Sequence, residues 1–260
     1  MAFAAAHQRP IPGAVATLGV SDRVSFLRKT YAHLGIALIA FAAITGGMMR
    51  FAPKMSWGFT KWAASGRWHW LLVLVAFMAV GWVAERLARS ETSRGLQYGG
   101  LTLAVVAEAL LLQPLLWILM LRTGGPSIRA EILATGTPLM TGAAASILTQ
   151  AIVITLTIFV GLTLVVFVTK KDFSFLRGIL VIATFGALGI ILASIAFGFS
   201  LGALFSGFMI LLMAGYILFQ TSLVMSVFPP TAYVAASLML FSTIATLFWY
   251  VLQLLMRLRD

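Results

Sequence analysis

The sequence predicts an all-α integral membrane protein, a bundle of seven transmembrane helices. Two observations carry the prediction. Of the 260 residues, 61% are hydrophobic and only 10% charged, where a soluble domain carries about 25% charged residues. The apolar residues are also gathered into runs of about 20, the length a helix needs to cross ~30 Å of hydrocarbon. In that solvent each segment must satisfy its own backbone hydrogen bonds, which a single helix does.

On this test spans fall near 33–50, 69–86, 99–121, 147–168, 177–196, 201–225 and 232–256. Their connections are short, so the chain makes one bundle. The charge-free stretch from Gly178 to Met256 is too long for two helices, and its turns fall at the Phe197–Gly202 run and at Pro229-Pro230. Gly198 and Gly202 also have GxxxG spacing, which can seat a close helix contact; as glycines between two spans they read first as turn residues. Trp68 and Trp70 open the second span and Trp249 and Tyr250 lie toward the end of the last, where aromatic belts meet lipid headgroups. Pro10, Pro12 and Gly13 break any helix before the first span, so residues 1–27 are expected to form a mobile tail ahead of a membrane domain over 28–260. The apolar stretch in that tail is too short for a signal peptide.

The formal net charge is +11, from 18 Lys+Arg against 7 Asp+Glu. The basic residues lie between apolar runs, where they meet anionic headgroups. The bilayer is therefore the expected partner, and nucleic acid is not. Ten basic residues fall on the side of the N-terminus against eight on the other, a small bias that puts the N-terminus inside. There is no cysteine, which excludes disulfides, thiolate catalysis and Cys-bound metals.

Glu108 is the one ionisable residue deep in a span. A charge at the bilayer centre costs about 2.5–3.5 kcal/mol on insertion scales, so this carboxyl is expected to be buried, paired or protonated. It either lines an ion path or bonds, neutral, to a neighbouring helix. Gln113 and Pro114 follow; Pro114 cannot bond the Leu110 carbonyl and leaves a polar spot in the helix. Three more polar clusters sit in apolar spans: Thr149/Gln150/Thr155/Thr157, Gln220/Thr221/Ser222 and Ser242/Thr243/Thr246. Such groups either bond across helices or together line a polar passage. His33 and His69 lie at span boundaries with no second histidine at metal-ligand spacing, and no hydrolase, nucleotide or metalloprotease motif is present. Neither an enzyme nor a cofactor is expected.

The fourth span and its exit read TQAIVITLTIFVGLTLVVFVTKKDFSFLRG, within which VTKKDFSFL, Val168 to Leu176, is the most specific piece. With RKTYAHLGIAL at the first span and TAYVAASLMLFSTIATLFWYVLQLL at the last, the order of motifs resembles the Bax inhibitor-1 family, bacterial relatives included. The resemblance implies six helices around a seventh, the last. It implies kinship with proteins described as pH-sensitive calcium leak channels and with modulators of cell death or of membrane proteases. The bacterial relatives point to a bacterial cytoplasmic membrane. The family's proton sensor is an aspartate pair in the sixth and seventh helices. At the matching positions this chain has Gln220, in Leu218-Phe219-Gln220-Thr221, and Thr243 or, one register away, Ser242. Two close carboxylates share a proton and titrate; an amide and a hydroxyl do not. The expected ion path or gate is therefore Glu108, Gln220, Ser242 and Thr243. The chain is expected to be a cation leak protein with altered pH gating, possible ligand calcium, or else a non-conducting regulator of a membrane partner. If the alignment holds, Gln220 lies within hydrogen-bond reach of the last helix near Ser242 or Thr243.

Overall fold

The computed structural model describes residues 15–17 and 19–259. Among them are nine α-helices: α1 (Val20–Phe51), α2 (Pro53–Ala64), α3 (Arg67–Ala88), α4 (Arg94–Thr123), α5 (Pro126–Thr135), α6 (Gly142–Thr169), α7 (Arg177–Phe197), α8 (Ala203–Ser226) and α9 (Tyr233–Arg257). All but α2 and α5 are long and apolar enough to cross a membrane. These seven coincide with the predicted spans. The start of α1 is called the near end of the bundle below, and its finish the far end.

Residues 15–17 and 20–27 of the expected tail are helical. Helix α1 starts at Val20, and Val15 before it is fully buried, donating its N–H to the Phe228 carbonyl at 2.9 Å. Arg23 reaches back to the Ala16 carbonyl at 2.6 Å. Gly19, in extended backbone, stands just ahead of the helix, and no glycine or proline follows it before Gly35. With 32 residues, α1 is about 48 Å long at 1.5 Å per residue, so its basic first turns extend past the hydrocarbon. Residues 1–14 and 18 of the expected tail lie outside the described residues.

Helix α9 packs against α1, α3, α4, α6 and α8, as a central last helix requires. Its Ser237 hydroxyl donates to the Thr30 carbonyl of α1 at 2.9 Å. Helix α4 shares the centre. Its Gly100 lies against the α3 backbone so closely that a Cβ there would stand 2.4 Å from the Ala84 oxygen and 2.6 Å from the Ala88 nitrogen.

The two short helices were not predicted, and they cover the far end. Pro53 and Pro126 open them, where a missing N–H costs nothing. Gly136 closes α5 at φ 64°, a left-handed stop that suits glycine. Helix α2 docks on the polar spot of α4. Ser56 donates to the Gln113 side-chain oxygen at 2.7 Å and accepts from the Trp117 indole at 2.7 Å. The Gln113 amide donates to the carbonyl of Ala109 at 3.0 Å. The break in the ladder made by Pro114 is thus flanked by side-chain bonds.

Helix α7 is the loosest span, with only Leu180 and Ala187 buried. Thr184 and Tyr216 join it to α8 through their hydroxyls at 2.8 Å. At the far end Arg67 of α3 donates to the Ala196 carbonyl at 3.2 Å. Gly198 ends α7 at φ 77° and Gly202 precedes α8, so both are turn glycines.

Candidate functional site

Because α7 stands off the bundle, a crevice of about 1220 Å³ opens among α3, α4, α7, α8 and α9. Glu108, Gln220, Ser242, Thr243 and Thr246 line it, together with apolar residues that include Phe77, Gly81, Leu188, Met209 and Met213. The four site residues expected from the sequence therefore come together in one place.

Gln220 and Thr243 are both buried, and the Thr243 hydroxyl donates to the Gln220 side-chain oxygen at 2.8 Å. This is the contact expected from the register of the last two helices. A buried amide needs such a partner, since lipid offers none. Ser242 is half-buried, and its carbonyl accepts from the Thr246 hydroxyl at 2.8 Å. Glu108, on α4, is buried. No hydrogen bond or ion pair joins its carboxyl to any described residue. A second cavity, of about 370 Å³, runs on toward Gln253 and Arg257 at the far end, and Glu108, Phe77, Ile191 and Thr246 line both. Among the described residues no three His, Asp or Glu gather as a metal cluster.

The polar residues of α6 do not join the crevice. Thr149 and Thr157 are exposed, Thr155 is buried without a hydrogen bond, and Gln150 accepts from Arg259 at 3.1 Å. On α8, Thr221 turns away from Gln220 toward Tyr31 of α1. The passage lined by all three clusters is thus reduced to α8, α9 and Glu108. His33 stays at the near-end boundary, within 3.1 Å of the Tyr98 hydroxyl and packed on the Tyr233 ring.

One near-end residue carried no weight in the sequence beyond its place in VTKKDFSFL. Asp172, in the α6–α7 connection, accepts from the Ser174 N–H at 2.8 Å, the Ser174 hydroxyl at 2.9 Å and the Ser222 hydroxyl of α8 at 3.2 Å. Partial burial pushes its carboxyl up, but these three bonds outweigh it and hold the group below the ordinary aspartate range. The Phe173 N–H donates to the same Ser222 at 3.2 Å. The connection is thereby tied to the near end of α8. The signal available in the sequence was an Asp two residues before a Ser, the spacing of an Asx turn.

Fold and crevice together define a class: a multi-pass all-α membrane bundle built around its last helix, with a buried carboxyl, Glu108, and an amide–hydroxyl pair facing a shared crevice. Residues 132–260 match the family described as "Inhibitor of apoptosis-promoting Bax1". Over 247 residues the chain is 30% identical to Bax inhibitor 1 of Schizosaccharomyces pombe, covering 93% of this chain and 79% of the yeast protein. The chain belongs to the Bax inhibitor family. No solved structure matches it at a significant level.

Proposed function

We propose that this protein lets a small cation, calcium being the first candidate, leak across its membrane by way of the crevice. The observation that carries the reading is the meeting of Glu108, Gln220, Ser242 and Thr243 in the lining of one cavity. A carboxyl at that position attracts a cation, and the neighbouring hydroxyls and amide offer oxygens to replace lost water. The Thr243–Gln220 bond is the closure between α8 and α9, and it carries no titrating proton. The membrane is the bacterial cytoplasmic one, on the resemblance to bacterial members.

Calcium flux into liposomes, measured from about pH 5 to pH 8, tests this. Wild type should conduct and Glu108→Gln should conduct far less, with whatever pH response exists lost along with the carboxyl. Gln220→Asp with Thr243→Asp should introduce a titration that wild type lacks. Absence of flux at every pH, with a membrane protein co-purifying stably, would replace this reading by that of a non-conducting regulator. The neutral Thr243–Gln220 pair is what favours that second reading.

A further inference from the structure

We propose that the crevice is the seat of one anionic phospholipid, its phosphate at Arg177 on the near-end rim and an acyl chain lying between α3 and α7. The inference does not depend on whether ions cross the crevice.

The shape comes first. Helices α3 and α7 are tied together at the far end by Arg67 on the Ala196 carbonyl. At the near end Glu85 and Arg89 of α3 face Ser174 and Arg177 across the same crevice, and no hydrogen bond or ion pair among the described residues joins the two sides. The cleft is thus closed at one end and unfastened at the other. Its volume, about 1220 Å³, exceeds the ~300–1,000 Å³ usual for small-molecule sites. In a bilayer such an opening between two spans faces acyl chains, and a void there forfeits dispersion contacts on one side.

The chemistry is graded along its length. The walls at mid-depth are Phe77, Met78, Leu188, Ile191, Met209 and Met213, which suit a hydrocarbon chain; methionine in particular adapts to an irregular one. The near-end rim is charged. Arg89 is engaged by Glu85 through two nitrogens, at 2.7 and 3.0 Å, which leaves Arg177 as the unbalanced cation. Asp172, the nearest other carboxyl in sequence, is turned to Ser174 and Ser222. Arg177 is also the first residue of α7, and its guanidinium suits a phosphate. Beside the polar group of Glu108, Gln220 and Thr243, these apolar walls lie below the unpaired Arg177 guanidinium, which suits an amphiphile with an anionic head. A zwitterionic lipid would set its own cation against Arg177.

Two substitutions separate head from tail. Arg177→Gln removes the charge. Gly81→Leu fills the cleft, since Gly81 lines it and a Cβ there meets nothing within 4 Å. The full chain, purified in detergent and stripped of lipid, is titrated with phosphatidylglycerol or phosphatidylcholine of identical acyl chains and read by native mass spectrometry. Wild type should prefer phosphatidylglycerol. Arg177→Gln should bind it about fivefold more weakly and bind phosphatidylcholine as before. Gly81→Leu should weaken both lipids while melting like wild type. A lipid with a photoactivatable acyl chain should mark the segment from Met209 to Met213, and free glycerol 3-phosphate should not compete. Equal binding of the two headgroups, indifference to Gly81→Leu, labelling confined to the outer face of α7, or full competition by glycerol 3-phosphate would each overturn the proposal.

Discussion

Helices α4 and α7 show what hydrophobicity means in this molecule. The most apolar stretch of α7 has a mean hydropathy of 2.5 and is 11% buried; that of α4 has 2.1 and is 67% buried. In water the order would be reversed. In lipid an apolar side chain gains little by leaving the solvent, so the more hydrophobic of these two spans stays outside. The centre goes to helices whose small and polar groups find partners in each other. Gly100 of α4 touches backbone, and Gln113 is bonded to Ser56. The glycines of α7 at 186 and 189 meet nothing within 4 Å.

The contrast can be broken most forcefully at Gly100. Gly100→Leu must push α3 off α4 and should cost about 3 kcal/mol or more, read as thermal unfolding in detergent by tryptophan fluorescence. The same change at Gly189 of α7 should stay within about 0.5 kcal/mol. Equal losses at both positions would mean that the two helices are packed alike.

A smaller effect is expected at the docking point of α2. Ser56→Ala leaves the Trp117 indole and the Gln113 oxygen short of a partner in a buried place and should cost about 1–3 kcal/mol. Trp117 is fully buried, so its emission should shift to the red as α2 loosens. An unchanged spectrum and melting temperature would show that the contact contributes nothing.

The smallest effect sharpens the comparison at the root of α7. The Asp172 carboxyl lies below its ordinary value of 3.8. Its contribution is therefore complete above that value and lost as pH falls through the lowered one. Asp172 is largely exposed, so the change should be local. Hydrogen exchange at the Ser174 amide, corrected for intrinsic rate, should speed up on acidification in wild type. In Asp172→Asn it should show no such step. A step that survives in the variant would assign it to another group.

The seven spans were legible because each carries its own evidence, a run long enough to cross hydrocarbon. Helices α2 and α5 were not. At 12 and 10 residues they are too short for that test, and what holds α2 in place is a pair of groups on α4 far along the chain. The Gln220–Thr243 contact was legible through register: once two helices are aligned, the polar residues at one depth meet. For α6 register could not choose between the two readings the sequence left open. Depth alone says nothing of direction, and Thr149 and Thr157 point outward. The crevice had no signature in the sequence, because it exists through what α7 fails to touch.

The central position of α9 also has a consequence in time. The Ser237 hydroxyl and its acceptor on Thr30 are 207 residues apart. At a synthesis rate of about 5–20 residues per second, roughly 10–40 s pass between them. The five spans packed on α9 are all made before it exists. Until α9 emerges, the Gln220 amide has no Thr243 to meet, and the inner faces of α1, α4, α6 and α8 face lipid or one another. The bundle is completed from its last-made helix, so a chain cut short before Tyr233 would keep its outer spans and lose the helix they are packed around.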